Sequence, residues 1–134
     1  MIRVAVPGDL AAVLSIASAG FSAVDRIGPA WLVRMLARPG TVLFVDKLGP
    51  DCVRGFVLVE AFQGGQLVRL IAVSPSHRRQ GVGRGLLAKL SARVEAGAWV
   101  RVENAASRGM FDAAGWTGAT RPSRRKGEWV YFVR

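Results

Sequence analysis

Apolar and other residues alternate along Ile2-Arg3-Val4-Ala5-Val6, the rhythm of a half-buried strand. Pro7-Gly8-Asp9 breaks the rhythm, and Asp9 is placed to cap a helix. In that helix Leu10, Val13, Leu14 and Ala17 recur at helical spacing to about Ser18. A second helix opens on Pro29, carries Leu32, Met35 and Leu36 on one face, and stops at Pro39-Gly40. Thr41 to Asp46, Val53 to Phe62 and Gln66 to Val73 are dominated by Val, Leu and Phe. The short breaks Gly49-Pro50-Asp51 and Gln63-Gly64-Gly65 join these three strands as an antiparallel meander.

After Val73 the pattern changes. Ser74-Pro75-Ser76-His77-Arg78-Arg79-Gln80 leads into a cluster of Gly81, Gly83 and Gly85. Val82, Leu86, Leu87, Leu90 and Val94 then predict a helix ending near Gly97, followed by a strand at Trp99 to Glu103. A strand, a helix and another strand form a parallel crossover, right-handed by the general rule. Asn104 caps a short helix that buries Met110, Phe111 and Ala114 and ends at Gly115. Trp116 to Thr120 and Glu128 to Val133 predict a closing hairpin around the basic loop Arg121 to Lys126, with Trp116 and Trp129 read as core. The fold class is α/β (α+β): one domain over residues 1–134, with a mixed, mostly antiparallel sheet flanked by helices.

Composition narrows the function. With 51% apolar letters the chain is not a disordered tail. Its longest uncharged stretch, Leu10 to Val24, is interrupted by Gly20 and falls short of the ~20 apolar residues a membrane span needs. Ala17-Ser18-Ala19 resembles a signal cleavage site, but the leader has only Arg3 as a basic residue and Asp9 abuts the apolar run. A soluble, cytoplasmic protein is expected, with no membrane partner. The lone Cys52 cannot form an internal disulfide and reads as a small packed residue, and with His77 it cannot complete a four-ligand zinc site. No metal is expected. The single histidine also excludes most Ser-His-Asp or Cys-His relays, and His77, in a polar turn, reads as a solvated surface residue. The net charge of +10, with Arg supplying 16 of the 19 basic residues, favours an anionic partner, either a polyphosphate cofactor or a nucleic acid.

The glycine-containing turn is where chemistry gathers. The first turn of a helix has amide N–H groups without internal partners and a positive dipole end. Glycine lets a phosphate approach that backbone, and Arg78, Arg79 and Arg84 add positive charge. A phosphate or pyrophosphate site at Gln80 to Gly85 follows. The P-loop pattern is absent. Gly81, Gly83 and Leu86 only partly match the dinucleotide fingerprint, even with Glu103 about twenty residues on. The connection from the strand is too long for that fingerprint's tight turn. The plainer alternative is a helix start that binds nothing.

Arg78-Arg79-Gln80-Gly81-Val82-Gly83 resembles the Arg/Gln-x-x-Gly-x-Gly/Ala signature of the GNAT N-acetyltransferases. Ile71-Ala72-Val73-Ser74-Pro75 is similar to that family's cofactor-lining strand. Asn104 through Met110-Phe111-Asp112-Ala113-Ala114-Gly115-Trp116 is similar to its later motif, and the element order matches along nearly the whole chain. The resemblance implies acetyl-CoA as co-substrate, with its pyrophosphate near Arg78 and Arg79 and on the amides of Gln80, Gly81, Val82, Gly83 and Arg84. Its pantetheine arm would pair with Ile71, Ala72 and Val73 like an added strand, with Asn104 near the arm's far end. A backbone N–H near Val73 would face the thioester carbonyl. A primary amine, on a small molecule or a peptide, would attack directly.

The acid and the base are less plain. Many family members carry a Tyr as acid where this chain has Phe111, and the only tyrosine, Tyr131, reads as a residue of the final strand. Glu103 is the candidate base and Glu60 the second, while the register of the family's catalytic Glu falls closest to Arg101. Two rival readings follow: a catalytically impaired CoA-binding module, suggested by Phe111, and a basic nucleic-acid-binding domain, suggested by the charge. The four basic residues of Arg121 to Lys126 read as a solvated loop or as a contact to RNA, a ribosomal surface or an acidic acceptor. The resemblance also implies a homodimer. The acceptor carries no motif.

Overall fold

The computed structural model describes residues 1–20, 27–90, 92–120 and 129–134. The basic run Arg121 to Lys126 and the hairpin start at Glu128 lie outside them. Strands β1 (Ile2–Val4), β2 (Thr41–Lys47), β3 (Val53–Phe62), β4 (Gly65–Val73), β5 (Ala96–Arg101), β6 (Thr117–Thr120) and β7 (Trp129–Val133) form one sheet. Its order is β1-β2-β3-β4-β5-β7-β6. Only β4 and β5 run parallel; the other neighbours are antiparallel. Helices α1 (Leu10–Gly20), α2 (Pro29–Leu36), α3 (Val82–Leu87) and α4 (Ala105–Ala113) complete the chain. None among the described residues is long and apolar enough to cross a membrane.

The centre of the sheet is set by β3, which is apolar on both faces. Phe56 and Leu58 pack with Val13, Ile16 and Ala17 of α1 and Leu32 and Met35 of α2. Val57 and Val59, one residue out of phase, pack with Val82, Leu86 and Leu87 of α3 and Phe111 of α4. A strand turns alternate side chains to opposite faces, so the unbroken apolar run fixes β3 between two helical layers. Asp9 does not cap α1. Its carboxylate accepts from the Val6 N–H at 2.9 Å and from Lys47 Nζ at 2.8 Å. Burial raises the pKa of Asp9, but the Lys47 hydrogen bond, the Val6 N–H and the charges of Lys47 and Arg3 outweigh it and hold the group below its ordinary value.

Two expectations are corrected between α3 and α4. The helix ends at Leu87 rather than near Gly97, and the next strand spans Ala96–Arg101 rather than Trp99 to Glu103. Past Leu87 the chain tightens into i→i−3 bonds, Lys89 N–H to the Leu86 carbonyl at 3.1 Å and Leu90 N–H to the Leu87 carbonyl at 3.2 Å, and Arg134 at the far end of the sequence donates to the carbonyls of Val94 (2.7 Å) and Leu90 (3.5 Å). Gln66 N–H takes the Glu95 carbonyl at 2.8 Å and Arg134 N–H the Ala96 carbonyl at 3.1 Å. Sheet pairing thus takes up the chain from Glu95 onward. Trp116 is core, but Trp129 is half-buried, with the Arg101 guanidinium 4.6 Å above its ring.

Candidate active site

β4 and β5 pair over three positions only, Gln66 with Ala96, Leu67 with Gly97 and Val68 with Ala98, and then separate. The parting begins at a bulge. Leu58 of β3 pairs with Leu70 and Val59 with Val68, which leaves Arg69 as the extra residue of β4. Past the bulge, Ser74 N–H bonds the Arg54 carbonyl at 2.7 Å, toward β3. Backbone groups alternate direction along a strand, so Ile71 and Val73 turn their N–H and C=O into the gap on the β5 side. A buried strand edge with unpaired polar groups is an invitation to an extended ligand.

The gap opens into a cleft of about 650 Å³, walled on one side by the turn from β4 into α3 and on another by the start of α4. In that turn Arg79 (φ 64°) and Gly81 (φ 78°) both take left-handed backbone. Gly81 is needed for its conformation, since a Cβ there would meet nothing within 4 Å. Gly83 is needed for a different reason: a Cβ would come within 2.5 Å of Met110 Sδ. It lets α3 and α4 approach across the cleft.

Asn104 caps α4, its Oδ1 accepting from Ser107 N–H at 3.1 Å. Of the cofactor residues expected from the sequence, Ile71, Ala72, Val73, Arg78, Arg79, Gly81, Val82, Gly83, Arg84 and Asn104 all line the cleft. Gln80 is exposed and does not. Glu103 is also exposed, in the turn between β5 and α4 and outside the lining. Glu60 is buried between Arg69 at 3.4 Å and Arg38 at 3.6 Å. Of the described residues that line the cleft, none is an acid.

Phe111 does not line this space. It is buried, with the rings of Trp116 and Phe132 centred 5.0 and 5.1 Å from its own. Tyr131 packs its ring on Trp99 at 4.8 Å, in the β5–β7 pair. Sequence reasoning missed eight residues of the lining, among them His77, which is half-buried rather than solvated, Met110 as a wall rather than core alone, and Ser107. A single serine inside a helix has no spacing signature, and only its place one turn before Phe111 marked it.

Comparison with known proteins gives this geometry a family. The chain is similar to yncA of Salmonella typhimurium, solved with its cofactor acetyl-CoA, at 23% identity and a TM-score of 0.76, covering 100% of this chain and 92% of that one. It is similar to the ribosomal-protein-S18-alanine N-acetyltransferase of Escherichia coli at 22% identity and a TM-score of 0.74, over 99% and 90% of the two chains. A phosphinothricin acetyltransferase of Sinorhizobium meliloti, in complex with acetyl-CoA, gives 19% identity and a TM-score of 0.76, over 100% and 86%. These likenesses establish the fold. No curated protein matches the sequence at a significant level. Residues 39–117 match the family model of the acetyltransferase (GNAT) domain, a segment that runs from the start of β2 through the cleft to the start of β6. The chain therefore belongs to the GNAT acetyltransferase family and is an acyltransferase.

Proposed function

We propose that the protein moves the acetyl group of acetyl-CoA to a primary amine by direct attack, in the cytoplasm. The observation that carries this reading is the pairing of an unpaired β4 edge at Ile71 and Val73 with the left-handed turn at Arg79 and Gly81, in one cleft. The residues fit the donor. Backbone N–H and C=O groups of Ile71 and Val73 suit the amides of a pantetheine arm, which adds to β4 as a strand would. Arg78, Arg79 and Arg84, with the open backbone at Gly81, suit its diphosphate.

When bound, acetyl-CoA supplies an activated acetyl group as a thioester. The Val73 N–H, directed into the gap, is placed to hold the carbonyl oxygen as negative charge develops on it. Asn104, fixed by its capping bond, closes the far end of the arm. Glu103, exposed beside Asn104 in sequence, takes the ammonium proton of the incoming amine. The acceptor is a small-molecule or peptide amine. The Escherichia coli neighbour's own name points to a ribosomal protein, while the +10 charge of this chain suits an acceptor with negative charge near its amine.

Calorimetric titration with acetyl-CoA, with ATP and NAD as controls, tests the reading. Micromolar binding selective for acetyl-CoA is expected. Equal affinity for all three, or none for any, would remove the donor from the proposal.

A further inference from the structure

We propose that the Ser107 hydroxyl donates a hydrogen bond to the sulfur that leaves during acyl transfer. The inference rests on the acetyl-CoA reading above and deepens it. Direct attack forms a bond from the amine nitrogen to the thioester carbon and breaks the carbon–sulfur bond. Sulfur departs with the electron pair, and the surplus proton of the nitrogen must end on it. A thiolate expelled into a space walled by apolar groups costs more than one met by a donor.

Phe111 cannot be that donor, having no proton to give and its ring sealed between Trp116 and Phe132. One helical turn earlier, at the i−4 position on the same face of α4, stands Ser107. It is 6% exposed and lines the cleft. Among the described lining residues it is the only one with a hydroxyl. The other polar side chains there stand on the opposite wall or serve the α4 cap. His77, Arg78, Arg79 and Arg84 belong to the turn and the start of α3, and Asn104 Oδ1 already holds the Ser107 N–H. That capping bond fixes Ser107 in the first turn of α4. Serine does not ionise at neutral pH, so the hydroxyl serves as donor and relay. It meets the sulfur as charge grows and regains from the departing nitrogen proton whatever it gives.

The test uses CoA itself, so it needs no knowledge of the acceptor. The free thiol of protein-bound CoA is titrated through its thiolate ultraviolet absorbance, in wild type, Ser107→Ala and Ser107→Thr. Acetyl-CoA affinity is measured in parallel. In Ser107→Ala the bound thiol is expected to titrate about one unit or more higher than in wild type, the loss of one hydrogen bond to a charged group, with acetyl-CoA affinity unchanged. Ser107→Thr, which keeps the hydroxyl, is expected to stay near wild type. Turnover with any accepted amine should fall about tenfold to a hundredfold in the alanine variant. Equal thiol titration in wild type and Ser107→Ala, with both still binding acetyl-CoA, overturns the role of Ser107 alone. A wild type that binds no acetyl-CoA overturns the donor reading, and this inference with it.

Discussion

The two walls of the cleft are made differently. The wall from β4 into α3 carries three arginines, a histidine and two residues with left-handed backbone. The wall from α4 is nearly neutral and small: Asn104, two alanines, Ser107 and Gly109 lead to Met110 and Ala113. A polyanion asks for the first kind of surface, since cations and free amides must surround it. A neutral amide-bearing arm and a reacting thioester ask for the second, where small side chains allow close approach and a single hydroxyl is not drowned by stronger charges. On the proposed reading, affinity belongs to one wall and turnover to the other. Gly83 is the joint between them, because α3 and α4 meet there across one missing Cβ.

That joint should show the largest effect. Gly83→Asp adds bulk against Met110 and negative charge beside the diphosphate seat, and acetyl-CoA affinity is expected to fall about a hundredfold or more. The two causes separate by a double-mutant cycle. Gly83→Ala carries only the steric part, about 1–3 kcal/mol of stability by overpacking, and Met110→Ala in the same chain should recover most of it. Thermal unfolding reads the first and calorimetry the second. If Met110→Ala restores nothing to Gly83→Ala, the two walls are not joined at this contact.

The cationic wall is tested next. Arg84→Ala and Arg78→Ala remove exposed charges, so each is expected to weaken acetyl-CoA about threefold to tenfold at low salt, and less as salt screens the site. Ser107→Ala should leave that affinity alone. An arginine variant that changed turnover while binding normally would dissolve the division of labour between the walls.

The cationic wall was also the wall most legible in the sequence. Its signal is local: consecutive arginines, glycines at fixed spacing and a strand before them force a turn with open amides wherever they occur. The meander was legible for the same reason, since short Gly-containing breaks between apolar runs leave few alternatives. What failed was set at a distance. Nothing between Val82 and Gly97 announces that the sheet will take up the chain from Glu95 onward, or that Arg134 will bond the carbonyls of Leu90 and Val94. Arg69 looks like any strand residue until its pairing with β3 slips and makes it the bulge that opens the gap. Asp9 looks like a cap because its partner, Lys47, is 38 residues away.

The smallest expected effect belongs to Glu103, and it bears on where the neutral wall ends. Among the described residues the lining holds no acid, and Glu103 sits exposed outside it, one residue before the Asn104 cap. An exposed carboxylate competes with water for the ammonium proton, so its help is bounded below the ~10² that a well-placed general base can give. Glu103→Gln is expected to lower turnover about tenfold or less, with acetyl-CoA affinity and the bound-thiol titration unmoved. The pH–rate profile should change shape, because the glutamine cannot take up a proton. A profile identical to wild type would dismiss Glu103 as base. Proton removal would then belong to water, and the neutral wall would carry the chemistry through Ser107 and the β4 amides alone.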